Sequence, residues 1–191
     1  MKRSALLFFI ILTHFTVFAQ SIDGFSLPNT ANGEIFALAD LKTEKAVVLI
    51  FYSGKCAYGE YYLDRIIALK NEFSSKEIKF VLINSNNSDF VAEESVEKMK
   101  NFTAQHNLNI PYLADKNKYV KNLLKASRTP EVFVLIPSSQ QFKVIYKGAI
   151  DDNPQSASDV SHAFLQDALL NLLKNKPVGV NQTRPIGCLI K

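Results

Sequence analysis

The reactive chemistry of this chain centres on Cys56. It follows the apolar run Ala46-Val-Val-Leu-Ile-Phe-Tyr52 within the segment Ser53-Gly54-Lys55-Cys56, and a helical stripe begins just behind it. A strand that delivers one cysteine to a helix start places sulfur among backbone N–H groups without intrahelical partners. The helix dipole there favours a thiolate. Lys55 adds positive charge beside the sulfur, and the Ser53 hydroxyl stands three residues before it. A hydroxyl so placed could donate a hydrogen bond to the thiolate. These residue types suit one-thiol redox chemistry on a peroxide or a disulfide, through a sulfenic acid or a mixed disulfide. The other cysteine, Cys188, lies near the end of the chain.

Positioning these residues requires a sheet and covering helices. Residues 46–52 and 78–84 read as strands, the first apolar throughout and so buried on both faces. Between them Tyr62, Ile66, Leu69 and Phe73 repeat at helical spacing and need a sheet face to cover. The polar loop Asn86-Asn87-Ser88-Asp89 leads to a helix striped by Val96, Met99, Phe102 and His106, with His106 at its C-terminal end. A short helix around Tyr119, Val120, Leu123 and Leu124 follows. Residues 131–136 and 142–146 read as strands joined through 137–141 as a hairpin. A last helix is expected over about 157–173, with Leu165, Leu169, Leu172 and Leu173 inward. Beyond Asn175, Pro177, Gly179, Pro185 and Gly187 mark a tail. The order predicts an α/β fold with helices packed on a mixed sheet.

Lys2 and Arg3 precede an apolar run from Ala5 to Leu12, and the stretch ends Val17-Phe18-Ala19. This pattern describes a secretory signal cut between Ala19 and Gln20. Its apolar centre is too short to span a membrane. The expected organisation is a signal over 1–19, one domain over 20–175 and a tail over 176–191 carrying Cys188. The location expected is exported, periplasmic or otherwise extracytoplasmic, without stable membrane insertion after cleavage. Loss of Lys2 and Arg3 lowers the net charge from +4 to +2. With the lysines spread along the chain, that balance makes no case for nucleic acid. Two cysteines in an oxidising compartment mean one disulfide or one redox site. Neither forms a metal-binding pattern with His106 or His162.

Three segments together resemble the thioredoxin-like redoxins of the alkyl hydroperoxide reductase/thiol-specific antioxidant family. They are Phe51-Tyr-Ser-Gly-Lys-Cys-Ala-Tyr58 with Asp64-Arg65-Ile66, then Arg128-Thr-Pro-Glu-Val-Phe133, then Gly148-Ala-Ile-Asp-Asp-Asn-Pro154. The terminal Pro185-Ile-Gly-Cys-Leu-Ile-Lys191 is similar to the Gly-Cys tail of that branch. The resemblance implies an α/β/α sandwich around a mixed central sheet, with Thr129-Pro130 as the cis-proline loop facing the redox cysteine. The implied partner is a thiol/disulfide electron-donor protein or a small hydroperoxide; no metal or organic cofactor is implied.

The chain departs from that family where the chemistry is done. The site usually reads Cys-x-x-Cys-Pro, but Ser53 replaces the first cysteine and Ala57 the proline. Dithiol exchange within the motif is therefore impossible. Ser53-x-x-Cys56 is similar to the Thr/Ser-x-x-Cys of peroxiredoxins, although their proline four residues before the hydroxyl is Leu49 here. Arg128 is a candidate for their arginine by proximity alone. The candidate site residues are Cys56, Ser53, Cys188, Pro130 and Arg128. Three readings of Cys56 stand side by side: an activated thiolate, a disulfide with Cys188, or a buried inert thiol. The last would leave a binding module that holds an extended peptide in the Pro130 groove.

Overall fold

A computed structural model describes residues 20–86 and 92–191. The expected signal at 1–19 and residues 87–89 of the expected loop lie outside the described residues. Three short strands come first: β1 (Ser21–Ile22), β2 (Ser26–Pro28) and β3 (Ile35–Ala37). Then β4 (Ala46–Phe51), α1 (Ala57–Phe73) and β5 (Ile78–Asn84) form the expected βαβ unit, with β4 and β5 parallel. Next, α2 (Val96–Gln105) leads to β6 (Tyr112–Ala114), and α3 (Tyr119–Leu124) leads to β7 (Arg128–Thr129). The antiparallel pair β8 (Glu131–Ser138) and β9 (Gln141–Gly148) precedes α4 (Phe164–Leu173), and β10 (Cys188–Leu189) lies in the tail. The main sheet runs β1-β9-β8-β4-β5-β6 and is mixed, as expected.

Period-two geometry explains the two cores. Ala46, Val48 and Ile50 of β4 face Tyr62, Leu63 and Ile66 of α1 and Leu165 and Leu169 of α4. Val47, Leu49 and Phe51 face the opposite way, into a core with Leu27, Leu38, Val120 and Leu124. Every residue of β4 is buried, so the strand has no solvent face. Each such aliphatic side chain contributes roughly 1.5–3 kcal/mol by burial. Among the described residues, no helix is long and apolar enough to cross a membrane.

The hairpin turn is tighter than expected. Ser138 pairs with Gln141, which leaves Ser139 and Gln140 as the turn, and Ser139 takes φ +53°. Pro137 is accommodated because β4 stops pairing with β8 at Leu135, so no ladder bond on that side is lost. The last helix starts later than its apolar pattern suggests. Residues 157–159 form one 3₁₀ turn, after which Val160 is extended. The Asp152 carboxylate accepts the Ser161 N–H at 2.9 Å, and Asp152 N–H donates to the His162 carbonyl at 3.2 Å. Those bonds hold this stretch off the helical path. Val96 and Tyr119, expected on apolar stripes, are exposed, whereas His106 caps α2 and lies with its ring 4.3 Å from that of Phe102.

Burial of tyrosines gives the fold an alkaline limit. Burial, more than any neighbouring charge, pushes the phenols of Tyr52, Tyr62 and Tyr112 well above their usual range. Tyr146, also buried, is pushed up to about 12. Because the folded state holds these protons more tightly, their contribution is complete below the unfolded value near 10 and declines as pH rises through it. Stability should fall above pH ~10, by roughly 1.4 kcal/mol per pH unit for each such tyrosine. Urea unfolding at pH 9 and pH 11 measures it; equal midpoints would remove the effect.

Candidate active site

Phe51, the last residue of β4, pairs with Glu131, the first of β8. That register brings the corner at Ser53–Cys56 alongside the loop that enters β8. The Thr129–Pro130 peptide in this loop is cis. The Glu131 carboxylate, itself buried, accepts the N–H groups of Ser127 at 2.7 Å and Arg128 at 3.0 Å, which fixes the loop from beneath.

Cys56 occupies the N-cap position of α1 and is 3% exposed. Its N–H donates to the Ser53 carbonyl at 3.3 Å, and its own carbonyl accepts from Glu60 at 3.1 Å. Its sulfur is bonded to Cys188, which lies 132 residues later in the chain, with the Cα atoms 5.9 Å apart. Sγ of Cys56 also lies 3.2 Å from the Thr129 carbonyl oxygen.

Cys188 reaches this corner because the tail returns as a strand. β10 pairs antiparallel with β7, Cys188 opposite Thr129 and Leu189 opposite Arg128. Nη1 of Arg128 donates to the Gly187 carbonyl at 2.8 Å, Ile190 N–H to the Ser127 carbonyl at 3.1 Å, and Lys191 N–H to Oδ1 of Asn86 at 2.8 Å. Arg128 therefore grips the tail main chain. Further back, Asn181 and Thr183 bond the main chain of Lys147 on the edge of β9.

Ser53 points elsewhere. Its hydroxyl donates to the Glu94 carboxylate and accepts the Lys55 N–H at 3.2 Å. A hydroxyl has one proton, and here it is directed at Glu94 rather than at the sulfur. Glu94 is 2% exposed and also accepts from Nδ2 of Asn84 and, at 3.4 Å, from Nδ2 of Asn86. Nζ of Lys116 ties the cluster together, donating to the Glu94 carbonyl at 2.7 Å and to Oδ1 of Asn84 at 3.1 Å. Burial lowers the Lys116 pKa, against the opposing pull of Glu94 and Asp115.

The structure thus brings Cys56, Cys188, Arg128 and the Pro130 loop together and turns the Ser53 hydroxyl into a separate buried network. The sequence reading did not single out Glu94, Asn84, Lys116 or Glu131. Asn84 carried a usable clue, being a polar residue that closes a buried strand parallel to β4. Glu94 carried none, since it meets Ser53 only through folding.

Gly59 sets how closely α1 approaches this corner. A Cβ there would fall well inside contact distance of the Ser53 carbonyl oxygen. Alanine is ordinarily the better helix residue by about 1 kcal/mol. A clash with fixed backbone costs about 1–3 kcal/mol, so the clash dominates. Gly59→Ala should lower the urea midpoint; a raised midpoint would mean that the corner yields freely.

Comparison with known proteins agrees with this fold. An uncharacterised conserved protein from Geobacillus kaustophilus is 31% identical, with a TM-score of 0.80 over 88% of each chain. Peroxidoxin BcpB from Mycobacterium tuberculosis is 19% identical, with a TM-score of 0.60 over 82% of this chain and 96% of its own. A secreted Mycobacterium tuberculosis disulfide oxidoreductase homologous to E. coli DsbE is also 19% identical, with a TM-score of 0.53 over 79% of this chain and 95% of its own. The latter two share the thioredoxin-like fold. No curated protein matches the chain. Residues 19–148 match the AhpC/TSA family. With the mixed sheet, the cysteine at the head of α1 and the cis-proline loop beside it, the chain belongs to the AhpC/TSA family of thioredoxin-like redoxins.

Proposed function

We propose that this protein is an exported thiol oxidoreductase whose redox couple is Cys56 with Cys188. One observation carries the reading: the motif cysteine at the head of α1 is bonded to the tail cysteine. In the reduced protein, the Cys56 thiolate attacks a substrate disulfide, forming a mixed disulfide and releasing one substrate thiol. The Cys188 thiolate then attacks Sγ of Cys56, which releases the second thiol and restores the internal bond. A dithiol donor protein supplies the two electrons for the next cycle. Ser53 takes no part as a nucleophile.

Peroxide reduction is the second reading, favoured by family membership. There Cys56 becomes a sulfenic acid as the peroxide yields an alcohol or water. Cys188 then condenses with it, releasing water. Commitment of the Ser53 proton to Glu94 favours the disulfide substrate.

Non-reducing peptide mapping followed by turnover assays tests the assignment. With a dithiol donor, the parent chain should reduce insulin disulfides, Cys56→Ser should be inactive, and Cys188→Ser should stall as a mixed disulfide. Sulfenic acid at Cys56 and hydroperoxide consumption without insulin reduction would select the peroxide reading. A protein inert to both, yet able to bind an extended peptide, would be a binding module. Export is tested by intact mass, which should correspond to a chain starting at Gln20. A mature species retaining residues 1–19 would overturn it.

A further inference from the structure

The tail is seated as a bound peptide would be. Its main chain pairs antiparallel with β7, its carbonyl at Gly187 is taken by Arg128, and its N–H at Ile190 is taken by the Ser127 carbonyl. Side chains are read at two further positions. A Cβ at Gly187 would fall inside contact distance of the Thr129 carbonyl oxygen and lie 3.1 Å from the Pro130 nitrogen, so the place before the cysteine accepts glycine alone without movement. Two places after the cysteine, Ile190 packs against the second core, while Leu189 between them is exposed.

We propose that residues 187–190 of the tail display the sequence that the groove beside Pro130 selects, so that the preferred substrate is a disulfide-bonded protein presenting an extended Gly-Cys-x-apolar segment. The inference rests on Cys56 being the reacting thiol. The tail is then a tethered stand-in for the substrate. Reduction of the Cys56–Cys188 bond by a dithiol frees the tail, and the substrate segment takes its place with its cysteine where Cys188 was. Cys56 attacks that sulfur, the bond to the substrate's partner cysteine breaks, and the partner leaves as a thiolate. When Cys188 attacks Cys56, the substrate cysteine departs as a thiolate and the tail displaces the segment strand for strand. Two electrons pass from the enzyme dithiol to the substrate disulfide. Arg128 acts here as a positioning residue, holding the carbonyl that precedes the substrate cysteine.

The test uses full-length Cys188→Ser protein, reduced, and the peptide Pro-Ile-Gly-Cys-Leu-Ile-Lys carrying thionitrobenzoate on its cysteine. Coupling is followed by absorbance and the adduct located by mass. A peptide with alanine in place of the glycine should couple about tenfold or more slowly, as expected for a methyl forced against backbone. Arg128→Ala should slow the glycine peptide by a larger factor than it slows a small aromatic disulfide, and Arg128→Lys should restore part of the peptide rate; equal factors for the two reagents would overturn the role given to Arg128. Equal rates for the two peptides, with normal release from the small disulfide, would overturn the groove assignment and leave the thiol chemistry standing. No release from either reagent would overturn both. As a second measurement, Gly187→Ala in the chain with both cysteines should have its internal disulfide reduced at a lower dithiothreitol concentration than the parent. An unchanged concentration would likewise overturn the role given to the glycine.

Discussion

Arg65→Met should unfold at a much lower urea concentration than the parent chain, a loss of about 3–5 kcal/mol. Nη1 of Arg65 lies 2.6 Å from Oδ2 of Asp151, and the two side chains are 16% and 5% exposed. The same guanidinium donates to the carbonyls of Asn153 at 2.8 Å and Pro154 at 2.6 Å and sits 4.0 Å from the centre of the Tyr62 ring. Tyr62 completes the arrangement by donating its hydroxyl to Oδ1 of Asp151 at 2.7 Å. Removing the cation leaves a desolvated carboxylate with two neutral donors, the Tyr62 hydroxyl and the Asn153 N–H at 3.0 Å, and no counter-charge, which is why the loss exceeds that of a surface pair. Arg65→Met with Asp151→Leu should recover much of it, since neither charge then remains buried. A single-variant loss below about 1 kcal/mol would mean that water reaches the pair.

The second large effect belongs to the tail. Cys188→Ser, or reduction of the parent chain, should lower unfolding stability by about 2–5 kcal/mol, because a link between residues 132 apart constrains the unfolded chain strongly. Cys56→Ser should lose a similar amount, yet the two variants should differ in chemistry. With Cys188→Ser the first exchange survives and a mixed disulfide accumulates; with Cys56→Ser no exchange begins. Reduced parent and both variants should therefore share one urea midpoint below that of the oxidised parent. A parent chain indifferent to dithiothreitol in this assay would contradict the Cys56–Cys188 bond.

What was legible in the sequence follows from where each structure gets its stability. β4 and β5 were readable because their apolar runs are long enough to be buried whatever surrounds them. The stripe of α1 was readable because Tyr62, Ile66 and Phe73 lie on one face of a long helix. β1, β7 and β10 have two residues each and exist only through their partners, so no local period marks them. The start of α4 was misread because Asp152, outside the apolar pattern, diverts the chain just before it. At the site, Cys56 and its helix were legible from local order. The Ser53–Glu94 contact spans 41 residues and the Arg65–Asp151 contact 86, and no spacing rule connects them. Both Arg65 and Asp151 stood inside the segments that carried the family resemblance, but their mutual contact is a property of the fold.

The Cys56–Cys188 bond also changes how the protein would respond to mechanical load. It closes a covalent ring that takes in α1, the four main-sheet strands β5, β6, β8 and β9, and every later helix, leaving outside it β1 to β4 and the three residues after Cys188. Tension applied between Gln20 and Lys191 would bypass everything inside that ring. Only the segment from Gln20 to Cys56 and the three residues after Cys188 could be drawn out, at about 3.3–3.6 Å per residue. Once reduced, the whole chain could extend. The redox state of one sulfur pair would thus set the length this molecule pays out under force.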